Sequence, residues 1–137
     1  MTLVRLIYSS KRTKGIEVPD LLRLLDKSTE NNKRIGITGL LCFTDSEFLQ
    51  VLEGDSLSVN RLYRKIIVDR RHAEVSLIHY THVSKREFSD WAMGFVDLDD
   101  ISIKDLAMSI IPNITINALD PKGALHLLKE ISKTLHR

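Results

Sequence analysis

Val4, Leu6 and Tyr8 alternate with Leu3, Arg5 and Ile7, the period-two pattern of a strand. The polar stretch from Ser9 to Gly15 predicts a loop after it. Pro19 suits the first turn of a helix, and Leu21, Leu22, Leu24 and Leu25 share one face beyond it, which predicts a helix from about Pro19 to Glu30. Asn31 and Asn32 stand where that helix is expected to stop, since asparagine favours helix ends and turns over interiors. Ile35 to Phe43 and Glu47 to Glu53 read as two strands of a hairpin turning through Thr44, Asp45 and Ser46. Val59, Leu62, Tyr63, Ile66 and Ile67 have the spacing of an amphipathic helix that starts at a cap on Asp55 or Ser56 and ends near Asp69. Val75 to Val83 and Trp91 to Leu98 read as two further strands around the polar loop Ser84 to Asp90.

This order predicts an α+β fold: a ferredoxin-like β-α-β-β-α-β unit plus a fifth strand, with two helices on one face of the sheet. Leu49 and Val51 are apolar yet point away from those helices, so the far face needs a cover. Ile103, Leu106, Ile110 and then Leu125, Leu128, Ile131, Leu135 have helical spacing, broken by Pro112 and Pro121. Two short helices are expected there, folded onto the sheet or holding a second subunit. The expected organisation is a domain over 1–98 and a helical extension over 99–137.

Gln50 interrupts the apolar run Phe48 to Leu52 and shares the direction of those two residues, toward a core. Leaving such an amide buried without partners costs roughly 1–3 kcal/mol. Tyr8 and Asn32 are the other polar groups at apolar positions. Each has an ordinary explanation alone: an amphipathic core residue, a helix terminus, and, for Gln50, an edge-strand amide facing water. Together they offer a hydroxyl and two amides, which can donate and accept toward a planar heterocycle held between the helices.

Composition narrows the chemistry. Cys42 is the single cysteine, which excludes an internal disulfide and a multi-thiolate zinc site. The five histidines show no metal-binding spacing. The longest apolar runs are far shorter than a bilayer span and the N-terminus has no signal-peptide pattern, so a cytoplasmic protein with no membrane contact is expected. Gly36-Ile37-Thr38-Gly39 matches GxxG weakly and reads as a glycine-permitted bend. A net charge of +2 is too small to argue for nucleic acid. Arg61, Arg64, Lys65, Arg70 and Arg71 nonetheless cluster, as a solvated helix face or a phosphate-binding edge.

Five stretches in register, LVRLIYSS from Leu3, NNKRIGITGLL from Asn31, FLQVLEG from Phe48, DRRH from Asp69 and FSDWAM from Phe88, resemble the BLUF family of blue-light sensors that use FAD. The resemblance implies FAD, or FMN with the same ring, between the first two helices. Asn32 would bond the pyrimidine side of the ring, and Gln50 would stand between Tyr8 and the flavin edge. Asn31, Lys65, Asp69, Arg71 and His72 become candidates for ribityl, ring-edge or phosphate contacts, while Leu24 and Ile66 wall the ring.

The mechanism implied is photochemical: light moves an electron and a proton from Tyr8 through Gln50, and after their return the amide is left rotated or tautomerised. Trp91 and Met93 share a parity on the last strand, and their exchange beside Gln50 would pass the signal to the C-terminal helices. Ala92, where the family commonly has serine, would face the other way. Residues 99–137 offer no space for a cyclase or phosphodiesterase, so a separate protein partner and a homo-oligomer, dimer or larger, are expected. Two other readings are weaker. An acylphosphatase-like hydrolase needs a phosphate-cradling loop, and Ser9 to Gly15 has one glycine. A nucleic-acid module lacks aromatic stacking positions.

Overall fold

The computed structural model describes residues 2–13, 15–89, 93–110 and 116–135. Its elements are β1 (Leu3–Arg12), α1 (Val18–Ile35), β2 (Thr38–Phe43), β3 (Glu47–Asp55), α2 (Ser56–Val68), β4 (His72–His82), β5 (Gly94–Asp97), α3 (Ile101–Ile110), a 3-10 turn (Ile116–Ala118) and α4 (Pro121–Leu135). The sheet order is β4-β1-β3-β2-β5. Its first four strands pair antiparallel, and β5 adds parallel to β2. This is the expected α+β, ferredoxin-like arrangement with a fifth strand.

The first strand outlasts its apolar alternation. Ser9 and Ser10, expected in a loop, are buried inside β1 and pair with β3 on one side, because a strand between two neighbours satisfies its backbone whatever its side chains are. The first helix also runs past its expected end. Asn31 and Asn32 are helical, and Ile35, expected in a strand, closes the helix with its side chain 46% exposed. The stop is Gly36, whose φ of 69° is the left-handed conformation glycine adopts without strain; its N–H and that of Ile37 both bond back to the Asn32 carbonyl. β2 therefore starts at Thr38. Gly39 within it faces the Val51 carbonyl so closely that an added Cβ would lie 2.0 Å from that oxygen.

Two cores flank the sheet. Val4, Leu6, Tyr8, Phe48 and Leu52 face α1 and α2 and pack with Leu21, Ile37 and Val59. Ile7, Leu40, Leu49 and Val51 face the other way and are covered by Ala124, Leu127, Leu128 and Ile131 of α4, with Ile103 and Ala107 of α3. Of the two expected uses of the C-terminal helices, folding onto the sheet is the one observed. The buried stripe of α4 includes Ala124 and Leu127 and leaves Leu135 37% exposed, a shift from the expected face. Leu22 and Ile67, expected on inward faces, are 43% and 48% exposed. β4 starts three residues earlier than expected. β5 is shorter at both ends, and Trp91 and Ala92 lie outside the described residues.

Candidate functional site

β3 lies between β1 and β2, so Gln50 is not an edge-strand amide. Tyr8 is its direct cross-strand partner. The Tyr8 hydroxyl donates to Gln50 Oε1, and Gln50 Nε2 donates to the Met93 sulfur at 3.2 Å. Phenol, amide and thioether are all buried, at 0%, 7% and 8% exposure. Burial pushes the Tyr8 phenol far above its usual range, with Tyr63 and Asp69 adding to the effect, so the hydroxyl stays protonated. The Tyr63 ring lies 5.6 Å from that of Tyr8 and the His72 ring 5.9 Å from it.

Gln50 and Met93 of this relay line a cavity of about 280 Å³ between the two helices. α2 lies close against β1, β3 and β4, whereas α1 stands further off the sheet. Leu21, Leu24, Leu25, Ser28, Asn31 and Asn32 make one helical stripe along the α1 wall, at spacings of three and four. Leu62, Lys65, Ile66 and Asp69 make the matching stripe along α2 and its end. Gln50, Arg71, His72 and Met93 complete the lining. Of the predicted site residues, Tyr8 sits one step behind this wall, and Trp91 lies outside the described residues.

The polar end is ordered by local contacts. Asp69 accepts from the Arg71 backbone N–H at 2.9 Å and from its guanidinium Nε at 2.8 Å, and this pairing holds the carboxyl below its usual range. His72 Nδ1 shares a 2.7 Å hydrogen bond with the Ser10 hydroxyl, and its ring lies 4.7 Å from that of Phe48. Burial pushes the imidazole down to about 4, which leaves it neutral near pH 7. Asn32 is buried, whereas Asn31 and Lys65 are exposed at the rim.

Arg86, Glu87 and Phe88, which precede Met93 in the chain, are anchored to β3 and the end of α1. The Glu53 carboxylate, fully buried, pairs with Arg5 at 2.9 Å and accepts from the backbone N–H of Glu87 at 3.0 Å and of Phe88 at 2.7 Å. The Arg86 guanidinium ties the same segment to the Gly36 carbonyl at 2.7 Å and to the Thr38 hydroxyl at 2.8 Å. Phe88 is buried in the far core and Met93 in the near one.

Sequence reasoning missed three contributors. Ser28 lies one turn before Asn32, but a helix ending at Glu30 breaks that stripe. Ser10 shares the parity of Tyr8, a signal hidden by placing it in a loop. The pairing of Arg5 with Glu53 needed the β1–β3 register, which aligns the two directly.

The family model of BLUF, sensors of blue-light using FAD, matches residues 3–94. The chain belongs to the BLUF family, a flavin-binding sensor module. It is similar to the photoactivated adenylate cyclase subunit beta of Euglena longa, 32% identical over 93 residues, which are 67% of this chain and 11% of that protein. The chain thus spans about a tenth of the length of that relative. Among solved structures it is similar to the BLUF protein BlrB in its dark state, at 27% identity and a TM-score of 0.81, covering 97% of each chain. BlsA in its photo-activated state gives 28% identity and a TM-score of 0.85, covering 95% of this chain and 94% of that one. Among the described residues no helix is long and apolar enough to cross a membrane.

Proposed function

We propose that this chain is a blue-light receptor that binds FAD non-covalently in the cavity between α1 and α2. The observation that carries this reading is the relay beside the cavity, where one amide holds a buried phenol at one end and a thioether at the other. The lining fits a flavin. Leu24 and Ile66 offer apolar walls from opposite helices, and Asn32 and Gln50 offer amides that would pair with the heteroatoms of the ring edge. Asn31, Lys65, Asp69, Arg71 and His72 would surround the ribityl side and the remaining edge.

When bound, the flavin supplies absorption of blue light and an electron-accepting excited state. With the flavin bound, Tyr8 would be the donor residue, holding its proton on the hydrogen bond to Gln50 along which it would leave and return. The Gln50 amide would be left rotated, which exchanges the ends facing Tyr8 and Met93, or tautomerised, which changes the donor and acceptor character of the same ends. A side chain that loses the amide N–H is free to move, and Met93, with Trp91 as its alternative, passes the change to the segment tied to Glu53.

In this reading the chain is a switch that consumes no substrate, as a two-state element biased by light requires. Residues 1–98 form the sensor and residues 99–137 the extension that presents its state to a separate protein or a second copy. Purified chain stripped of ligand and reconstituted with FAD should turn yellow, and blue light should move its flavin band reversibly to the red. A chain that takes up no flavin defeats the reading.

A further inference from the structure

A groove of about 180 Å³ opens between the β2–β3 turn and α3, on the side of the sheet that α3 and α4 cover. Of its apolar lining, Leu98, Ala107 and Ile116 are buried, and Met108 is 48% exposed. Thr44, Glu47, Asp99 and Lys104 complete it.

Negative charge gathers at this groove. Asp99 accepts from the Asp45 backbone N–H at 3.0 Å, and Asp97 from that of Asp99 at 2.9 Å, which places both neighbours beside it. Asp100 accepts from the N–H and the hydroxyl of Ser102 at the start of α3. All these donors are neutral. Asp45, Asp97, Asp99 and Asp100 have no ion-pair partner among the described residues, and neither has Lys104. Arg12, which reaches the same turn, is held by the carbonyls of Thr44 and Ile16. A capping role accounts for Asp100. It does not account for Asp45 and Asp99, which come from separate turns, or for the exposed thioether of Met108. On a chain with a net charge of +2, this groove is apolar within an acidic rim.

The groove is also joined to the relay. Met93 precedes β5 and Leu98 follows it, so only the four residues of β5 separate the sulfur beside Gln50 from the groove lining. β5 is fixed on β2 at both ends of that span. Phe95 stacks on Phe43 at 4.4 Å, and the Leu98 N–H donates to the Phe43 carbonyl at 2.8 Å. A displacement of Met93 therefore acts on a short strand whose far end is Leu98.

We propose that this groove is the docking surface for the separate protein that receives the signal, and that it takes an apolar side chain flanked by lysine or arginine. Its role in output rests on the reading of the chain as a light receptor. An apolar anchor in a pocket with a polar rim is the usual form of a docking hot spot. The charges around it select the sign of the partner and speed the encounter.

Panning a phage-displayed library of random peptides in the dark, against the full-length chain reconstituted with FAD, tests the surface. Enriched peptides should carry lysine or arginine around an apolar residue. One of them, synthesised and labelled, should bind roughly three- to tenfold more weakly to the Asp45→Asn, Asp99→Asn double variant, and more weakly at high salt. Met108→Lys should weaken it as well. These side chains are exposed, so an unchanged melting temperature and flavin band should show that each variant folds. Illumination should change the affinity, by roughly fivefold on the scale of coupled sites. No enrichment, enrichment of peptides without basic residues, or binding that ignores both variants overturns the surface. Self-association of the unaltered chain that Met108→Lys abolishes assigns the groove to a second copy instead. Equal affinity in dark and light overturns its role in output. A missing red shift in the same sample defeats the receptor reading and leaves the binding in the dark to decide the surface.

Discussion

Gln50 has unequal partners. A phenol hydroxyl is a strong donor and a thioether sulfur a weak acceptor, so the amide is held firmly at one end and loosely at the other. Replacement by leucine fills the volume but leaves the Tyr8 hydroxyl buried without its acceptor, a cost of about 1–3 kcal/mol. Gln50→Leu should therefore fold less stably, keep its flavin and show no reversible red shift in light-minus-dark absorption spectra. Tyr8→Phe should lose the shift for the complementary reason, at smaller cost, because the amide keeps Met93.

His72 makes the same region sensitive to acid. Unfolded, it titrates near 6.5; folded, at about 4. Between those values the unfolded chain binds the proton and the folded one does not, so stability falls as pH drops from 6.5 toward 4, by up to about 3 kcal/mol. The lowered carboxyl of Asp69 adds a separate loss at still lower pH, as its native pairing with Arg71 is protonated away. Urea unfolding at about pH 7 and about pH 5 measures the slope, which His72→Gln should flatten. The inward direction of Gln50 was legible from strand parity alone. The environment of His72 was not, because it depends on Ser10 and Phe48, which reach it across the sheet.

At the scale of elements, the ends of α1 and β1 were the least legible, and for one reason. Polar residues were read as breaks, whereas Ser10, Asn31 and Asn32 continue their elements and turn their side chains into a partner or the cavity, and Ser9 continues β1 with a buried hydroxyl that has no hydrogen-bond partner among the described residues. The true helix stop was the glycine, a backbone signal. Glu53 shows the same effect in a charged residue: within an apolar run it holds together Arg5, Glu87 and Phe88. Glu53→Gln leaves the Arg5 guanidinium, 7% exposed, without its counter-charge, and breaking a buried pair in this way costs about 3–5 kcal/mol. Thermal unfolding should shift down by roughly 10–20 °C. The amides of Glu87 and Phe88 should exchange with solvent faster than in the unaltered chain, an effect that general destabilisation would not confine to them.

For the whole molecule, the sequence indicated a sheet needing cover on both faces but left open whether this chain or a second one supplied it. Leu49 and Val51 are fully buried beneath α4, so the chain covers its own sheet. Ending the chain after Leu98 uncovers Ile7, Leu40, Leu49 and Val51 together, an apolar patch of the kind that drives association. Sedimentation of residues 1–98 should find oligomers or precipitate at concentrations where the full chain is better behaved. Leu128→Ala, which loosens the cover without removing it, should cost about 2–5 kcal/mol.

β5 joins the sheet through four residues, pairing Leu40 with Gly94 and Phe43 with Asp97 across the whole hairpin, α2 and β4. Contacts so distant along the chain are slow to close, because the loop entropy is lost before the pairing is gained. The cavity walls, in contrast, come from α1 and α2, which are complete before β5 is reached. In refolding, flavin uptake should therefore precede the return of light response, and the interval between them would time the arrival of Met93 at Gln50.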